Sequence, residues 1–290
     1  LTFPAVTDDQ GRKAPLTQAL FSRFRMSPSR RVRKAAFDTF FGRFAEFRNT
    51  LAALLSAQVN GNIVVARARH YASALEAAMD ANELPVRVYE QMVAAANAHL
   101  PLLHRYLKLR QRLLGLKQLY AYDLYAPIVD KADFKFPLEK GKELLIESLA
   151  PLGDDYLRAL KEGLAAGSGW IDPYPNEGKR SGAYMDGSAY DVHPYVLGNY
   201  LNDFNSASML AHEMGHAMHS FFSNRHQPFA KSNYTIFIAE IASTFNEALL
   251  SEHLLQRVKN QKQKLFLLGE QLEGFRLTFF RQALFAEFEL

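Results

Sequence analysis

The chain has 290 residues, 48% hydrophobic and 22% charged, with 34 lysines and arginines against 30 acids and no cysteine. Such a composition excludes a disordered or collagen-like chain, and the missing cysteines exclude disulfide frameworks, thiol nucleophiles and thiolate metal sites, leaving His, Asp and Glu as metal-binding side chains. No apolar run approaches the roughly 20 residues that span a bilayer, and the segment Leu1 to Asp9 has neither the basic nor the apolar region of a signal peptide, so no membrane partner is expected and a cytoplasmic location fits.

The net charge is +4, and Arg23, Arg25, Arg30, Arg31, Arg33 and Lys34 follow one another with no acid among them. They read as a solvated helix start after Ser27-Pro28-Ser29. A nucleic-acid footprint needs a broader basic face or a recognisable module, so no nucleic-acid partner is expected.

Most of the chain has helical periodicity. Over 32–55 the residues Phe37, Phe40, Phe41, Phe44, Phe47, Leu51, Leu54 and Leu55 recur three and four apart, which predicts one helix with a buried aromatic face. Further helices are predicted over 63–81, over 85–98 with Pro85 at its first position, and over 101–114 stopped by Gly115. Asp123, in Tyr120-Ala121-Tyr122-Asp123-Leu124-Tyr125, reads as a structural hydrogen-bonder. Helices over 138–149 and 154–166 follow, the second closed by Gly167. Between 166 and 203 glycines, prolines and aromatics crowd together with little helical period, predicting loops and short strands at 179–185 and 193–197. Gly182 there lets another backbone approach closely, and an exposed strand edge can pair with an extended peptide.

Helices resume over 206–223 and 234–257, and a last apolar helical pattern runs from 262 to 290. With no initial Met, and no glycine or proline closing that last helix, both ends read as cut from a longer protein. No internal repeat is evident.

The chemistry concentrates in His212-Glu213-Met214-Gly215-His216, an HExxH sequence on the 206–223 helix. Positions i and i+4 lie about 40° apart on a helix, so His212 and His216 can direct two imidazoles at one metal, with Glu213 beside them to act on a water. The 234–257 helix is apolar nearly all round and reads as buried, yet Glu240, Thr244, Glu247 and Ser251 form a polar stripe. Buried carboxylates need partners, so the two polar seams are expected to face each other around an ion. A third histidine six residues after His216 is absent, because Phe222 stands there. Glu240, 28 residues after His212 and the first acid downstream, is the expected third ligand. Glu247, two turns further along the same face, is placed to orient a histidine ligand. His219 is read as lining a pocket or the core.

Three segments together carry a family resemblance: His212-Glu213-Met214-Gly215-His216-Ala217-Met218-His219-Ser220, Phe237-Ile238-Ala239-Glu240-Ile241-Ala242-Ser243-Thr244, and Gly178-Lys179-Arg180-Ser181-Gly182-Ala183-Tyr184. The chain resembles the M3 family of zinc metallopeptidases, in its oligoendopeptidase F branch, along essentially its whole length, including Leu109 to Leu116 and Tyr122 to Pro127. The resemblance implies a mainly α fold, a multi-helix zincin-type metallopeptidase with a small β-sheet beside the active-site helix. Residues 1–165 would be a helical region forming part of a channel wall and 166–290 the catalytic region, within one continuous peptidase domain. It also implies one Zn2+ per chain on His212, His216 and Glu240, with Glu213 as catalytic acid/base acting on the zinc-bound water, and Gly182, Ala183 and Tyr184 bordering oligopeptide substrates. Family members are longer, and a C-terminal stretch with substrate-binding His and Tyr residues is missing here. A second reading is therefore a catalytically incompetent zinc-binding helical fragment or interaction module, and nothing in the sequence specifies an oligomeric state.

Overall fold

The computed structural model describes residues 1–129 and 135–290. In chain order the elements are strands β1 (Phe3–Thr7) and β2 (Lys13–Leu16), then helices α1 (Gln18–Phe24), α2 (Arg30–Glu46), α3 (Arg48–Ala68), α4 (Ala74–Asp80), α5 (Val86–Ala98) and α6 (Leu100–Leu113). Next come α7 (Leu138–Ser148), α8 (Asp154–Leu164), and the strands β3 (Ile171–Asp172), β4 (Tyr184–Asp186) and β5 (Tyr195–Leu197). Helices α9 (Phe204–His226), α10 (Phe229–Ser232), α11 (Ile236–Arg257) and α12 (Gln261–Gly274) follow, and a π-helical stretch, Phe275–Phe280, leads into α13 (Arg281–Glu289). Among the described residues no helix is long and apolar enough to cross a membrane.

The described residues form two compact units, one of residues 1–129 and 268–290, the other of residues 135–267. Leu145, Leu149, Leu160 and Leu164, on α7 and α8, share one core with Leu210 and Met214 of α9, so these helices belong with the HExxH helix.

In the first unit β1 and β2 form an antiparallel hairpin. Asp8 Oδ1 closes its turn by accepting from the N–H groups of Gln10 and Arg12. The hairpin buries Val6 and Leu16 against Phe21, Phe24, Val32, Ala36 and Phe40. Phe21 and Phe40 stack with centroids 4.0 Å apart. The aromatic stripe is buried at Phe40 and partly buried at Phe37 and Phe44, but Phe41 is exposed, against the expected buried face. It does not continue as one helix: the chain breaks at Phe47, and Leu51, Leu54 and Leu55 of α3 are exposed. The predicted 63–81 helix is also two helices. His70 takes a positive φ of 64°, and a new N-terminus forms where Ser73 Oγ accepts from Glu76 N while the Glu76 carboxylate accepts from Ala72 N.

The basic run around α2 is not simply solvated. Asp123 is fully buried and accepts from Arg33 at 2.9 Å and Arg30 at 3.0 Å, besides the Tyr120 N–H. Removing one member of a buried ion pair leaves the other charge unpaired at a cost of about 3–5 kcal/mol, so Asp123→Asn should lower stability on that scale. Burial pushes the Asp123 pKa up, but the hydrogen bonds from Arg30, Arg33 and Tyr120 outweigh it and hold the carboxyl below its usual value. A depressed carboxylate stabilises fully above its unfolded-state pKa of about 3.9 and loses that contribution as pH falls through the lower folded value. Urea unfolding at pH 7 and pH 3 should accordingly show a smaller acid loss in Asp123→Asn than in the parent chain; equal losses would remove Asp123 from the acid response.

In the second unit β3 pairs parallel and β4 antiparallel with β5, giving the order β3-β5-β4. Met185 and Val196 turn one face of this sheet into the core that holds α9, while Tyr184 and Tyr195 remain exposed on the other face. The strands begin later than predicted, at Tyr184 rather than residue 179 and at Tyr195 rather than 193. Gly182 precedes β4 with a φ of +88°, outside the extended region.

Candidate functional site

Helix α9 starts on an Asp203 side chain that accepts from Ser206 N, and runs without interruption through the HExxH residues. Its neighbour α11 buries a single stripe, Ala239, Ser243, Asn246, Leu250 and Leu254. The expectation that α11 is buried all round does not hold: Ile236, Phe237, Ile241 and Phe245 are each more than half exposed, because α11 meets α9 along that one stripe.

The two helices touch closely at Gly215. A Cβ there would lie 2.6 Å from Ser243 Cα and 2.7 Å from the Ala242 carbonyl oxygen, so any side chain would strike backbone. A glycine inside a helix costs about 1 kcal/mol relative to alanine, and this approach is its structural return.

This approach brings Glu240 to the histidine pair. His212 Nε2 and His216 Nε2 are 3.2 Å apart, and Glu240 Oε2 lies 3.4 Å from the first and 3.5 Å from the second. Tetrahedral zinc with bonds of about 2.0–2.2 Å sets its ligand atoms about 3.3–3.6 Å from one another, so the triangle has the size of one face of such a site. The donor chemistry agrees. Glu247 Oε2, which only accepts when ionised, lies 3.1 Å from His212 Nδ1, so Nδ1 carries the hydrogen and Nε2 presents its lone pair. Two imidazole nitrogens and a carboxylate oxygen converging in this way could hold a cation between them.

Other residues hold these groups in place. Ser208 Oγ donates to Glu247 Oε1 at 2.9 Å, and Ser243 Oγ to Glu240 Oε2 at 2.8 Å. Buried Asn246 donates to the Ala211 carbonyl at 3.2 Å and bonds Tyr156, fixing α11 against the turn that carries His212. The sequence signals for these partners are modest: Ser208 stands one turn before His212, Ser243 one turn after Glu240, and Gly215 is a glycine within a helix.

Glu213 is only 7% exposed, next to the triad. Burial raises its pKa, opposed by His212 and reinforced by Glu240 and Glu247. Burial pulls the His212 pKa down, but Glu247 and the other carboxylates outweigh it and the net shift is upward; His216 is lowered by burial and by His212 despite Glu240. Gly182 and Ala183 lead into edge strand β4, which starts at Tyr184, and Asn199 Nδ2 donates to the Gly182 carbonyl at 2.7 Å.

A mainly helical fold with a small sheet against its HExxH helix is that of a zincin-type metallopeptidase. The profile described as Peptidase family M3 matches residues 23–290. Oligopeptidase PepF of Bacillus subtilis is 46% identical over all of this chain and 43% of its own length, and an oligoendopeptidase F homolog of Lactococcus lactis is 40% identical over all of this chain and 47% of its own. The crystal structure of oligoendopeptidase-F from Enterococcus faecium superposes with a TM-score of 0.73 at 34% identity, over 99% of this chain and 44% of that one. A Chlamydophila abortus crystal structure superposes with a TM-score of 0.86 at 40% identity, over 99% of this chain and 48% of that one. The chain belongs to peptidase family M3 and spans about half the length of the relatives it matches.

Because Gly215 meets backbone, Gly215→Ala should force α9 and α11 apart, lowering stability by about 1–3 kcal/mol and weakening metal binding through displacement of Glu240. Thermal unfolding and zinc titration of the variant measure both effects; a metal affinity equal to the parent's would show that the close approach is not what places Glu240.

Proposed function

We propose that this chain carries the catalytic centre of a zinc-dependent endopeptidase that hydrolyses peptide bonds of oligopeptides. One observation carries the reading: the triangle of His212 Nε2, His216 Nε2 and Glu240 Oε2, with edges of 3.2, 3.4 and 3.5 Å. Support comes also from membership of the M3 family and from relatives whose names describe oligopeptidases. His212, His216 and Glu240 would hold one Zn2+ per chain, and two imidazoles with one carboxylate suit that ion. Bound there, zinc supplies Lewis-acid polarisation of the scissile carbonyl and lowers the pKa of water towards about 7.

The chain's own groups do the rest. Glu213 takes the proton of the attacking water onto its carboxylate and passes it to the leaving amine, a role suited by a pKa raised through burial. Glu247, braced by Ser208, keeps the His212 hydrogen on Nδ1. The free edge of β4, with Gly182, Ala183 and Tyr184 at its start, aligns an extended peptide through its backbone, which favours weak dependence on side-chain sequence.

The purified chain should retain about one zinc after exhaustive dialysis, measured by atomic absorption; a folded chain without zinc would count against the metal assignment. In the full-length enzyme Glu213→Gln should keep the zinc and abolish cleavage of a quenched peptide, and undiminished turnover would sink that role. Glu240→Ala should lose zinc affinity strongly, whereas Glu247→Ala, which removes only an orienting partner, should lose about 10- to 100-fold.

A further inference from the structure

His219 is a third histidine on the open face of α9 that the reaction above leaves without a task. It stands three residues beyond His216, about 60° round the helix axis from it and about 20° from His212, on the side of α11. Tyr234, two residues before α11, stacks on its ring with centroids 3.7 Å apart and planes within 14°. The Tyr234 hydroxyl is in turn held by Ser220 Oγ at 2.6 Å. The imidazole is thus clamped in one orientation.

Nδ1 of this half-buried ring is buried and has no hydrogen-bond partner among the described residues. A neutral imidazole has one N–H and one lone pair, and an orphaned buried N–H is the rarer of the two in folded proteins. The unpartnered Nδ1 thus suits the lone pair, which leaves the hydrogen on Nε2. Burial, and then His216, lower the pKa of His219 below its ordinary value.

The opposite flank of the same face meets the sheet. Gly187, directly after β4, packs so tightly that a Cβ there would be 2.5 Å from Ser220, and Asn224 donates to its carbonyl at 3.3 Å. Strand β4 thus ends beside Ser220, the residue next to His219 on α9, and the metal triad begins one turn before it.

We propose that His219 is a substrate-contacting residue whose Nε2–H donates a hydrogen bond to a main-chain carbonyl of the peptide lying between the β4 edge and the His212, His216 and Glu240 triad, fixing the register of the peptide relative to the scissile bond. The proposal rests on the peptidase reading. A main-chain carbonyl is the acceptor because an N–H donor next to the end of a strand edge meets the backbone common to every peptide.

The test uses the zinc-loaded full-length enzyme and an internally quenched oligopeptide of mixed sequence. His219→Phe keeps the ring and its stacking on Tyr234 but removes the donor; His219→Gln restores an N–H. Loss of one uncharged hydrogen bond predicts a kcat/KM roughly three- to tenfold lower in His219→Phe, mostly through KM, with zinc content unchanged and most of the loss recovered in His219→Gln. An unchanged kcat/KM in His219→Phe, equal losses in both variants, or loss of zinc would overturn the proposal. Independently of any variant, 15N spectra of the wild-type chain at neutral pH should show the Nε2–H tautomer of His219, and the Nδ1–H tautomer would refute it. A wild-type enzyme that binds zinc and cleaves no peptide would instead overturn the peptidase reading itself.

Discussion

The arrangement of the site depends on how closely two helices can lie. At Gly215 the backbone of α9 sits against Ser243 and Ala242 of α11 with no room for a methyl group. Helix axes ordinarily keep a separation set by their interface side chains. With hydrogen as the side chain on one helix and serine on the other, α11 comes near enough for a carboxylate on its first turns to reach two imidazoles. The HExxH spacing supplies two converging groups on its own helix, and the glycine inside it admits the third from elsewhere.

That approach places polar groups in a crowded seam, and each has a specific partner. Glu247 accepts from Ser208 and His212, Asn246 bonds Ala211 and Tyr156, and Glu240 accepts from Ser243. Asn246 is buried, whereas Glu247 is partly buried and Glu240 exposed rather than buried as its helix pattern predicts, and these hydrogen bonds together favour one relative rotation of the two helices. The first unit uses the same physics for another end. Asp123, with Arg30 and Arg33, anchors the start of α2 to the Tyr120–Asp123 turn and offers no open face for a ligand.

How much was legible in the residues follows from how local each signal is. Helices α5 to α9 and α11 lie close to their predicted ranges because period and terminal signals act within one or two turns. The N-terminal hairpin was missed although its turn, Asp8-Asp9-Gln10-Gly11, lies between two short alternating runs. The break between α3 and α4 was written in Ser73-Ala74-Leu75-Glu76, a pairing of serine and glutamate three apart that marks a helix start, but continuous apolar spacing obscured it. Apolar content also misled: hydrophobic residues all round α11 suggested full burial, yet content does not tell how many neighbours a helix has.

Residue order alone determined the helical class, the convergence of His212 and His216 and the position of Glu213 beside them, because all three follow from the 100° step of a single helix. The polar stripe also singled out Glu240 and Glu247. Only the tertiary structure decided that Glu240 reaches the histidine pair while Glu247 bonds the far nitrogen of His212, that α7 and α8 join this unit, and that Tyr234 clamps His219. Those facts depend on the distance and rotation between separate elements, which are set by steric contact at places such as Gly215 and by hydrogen bonds across the seam, and no local periodicity encodes them.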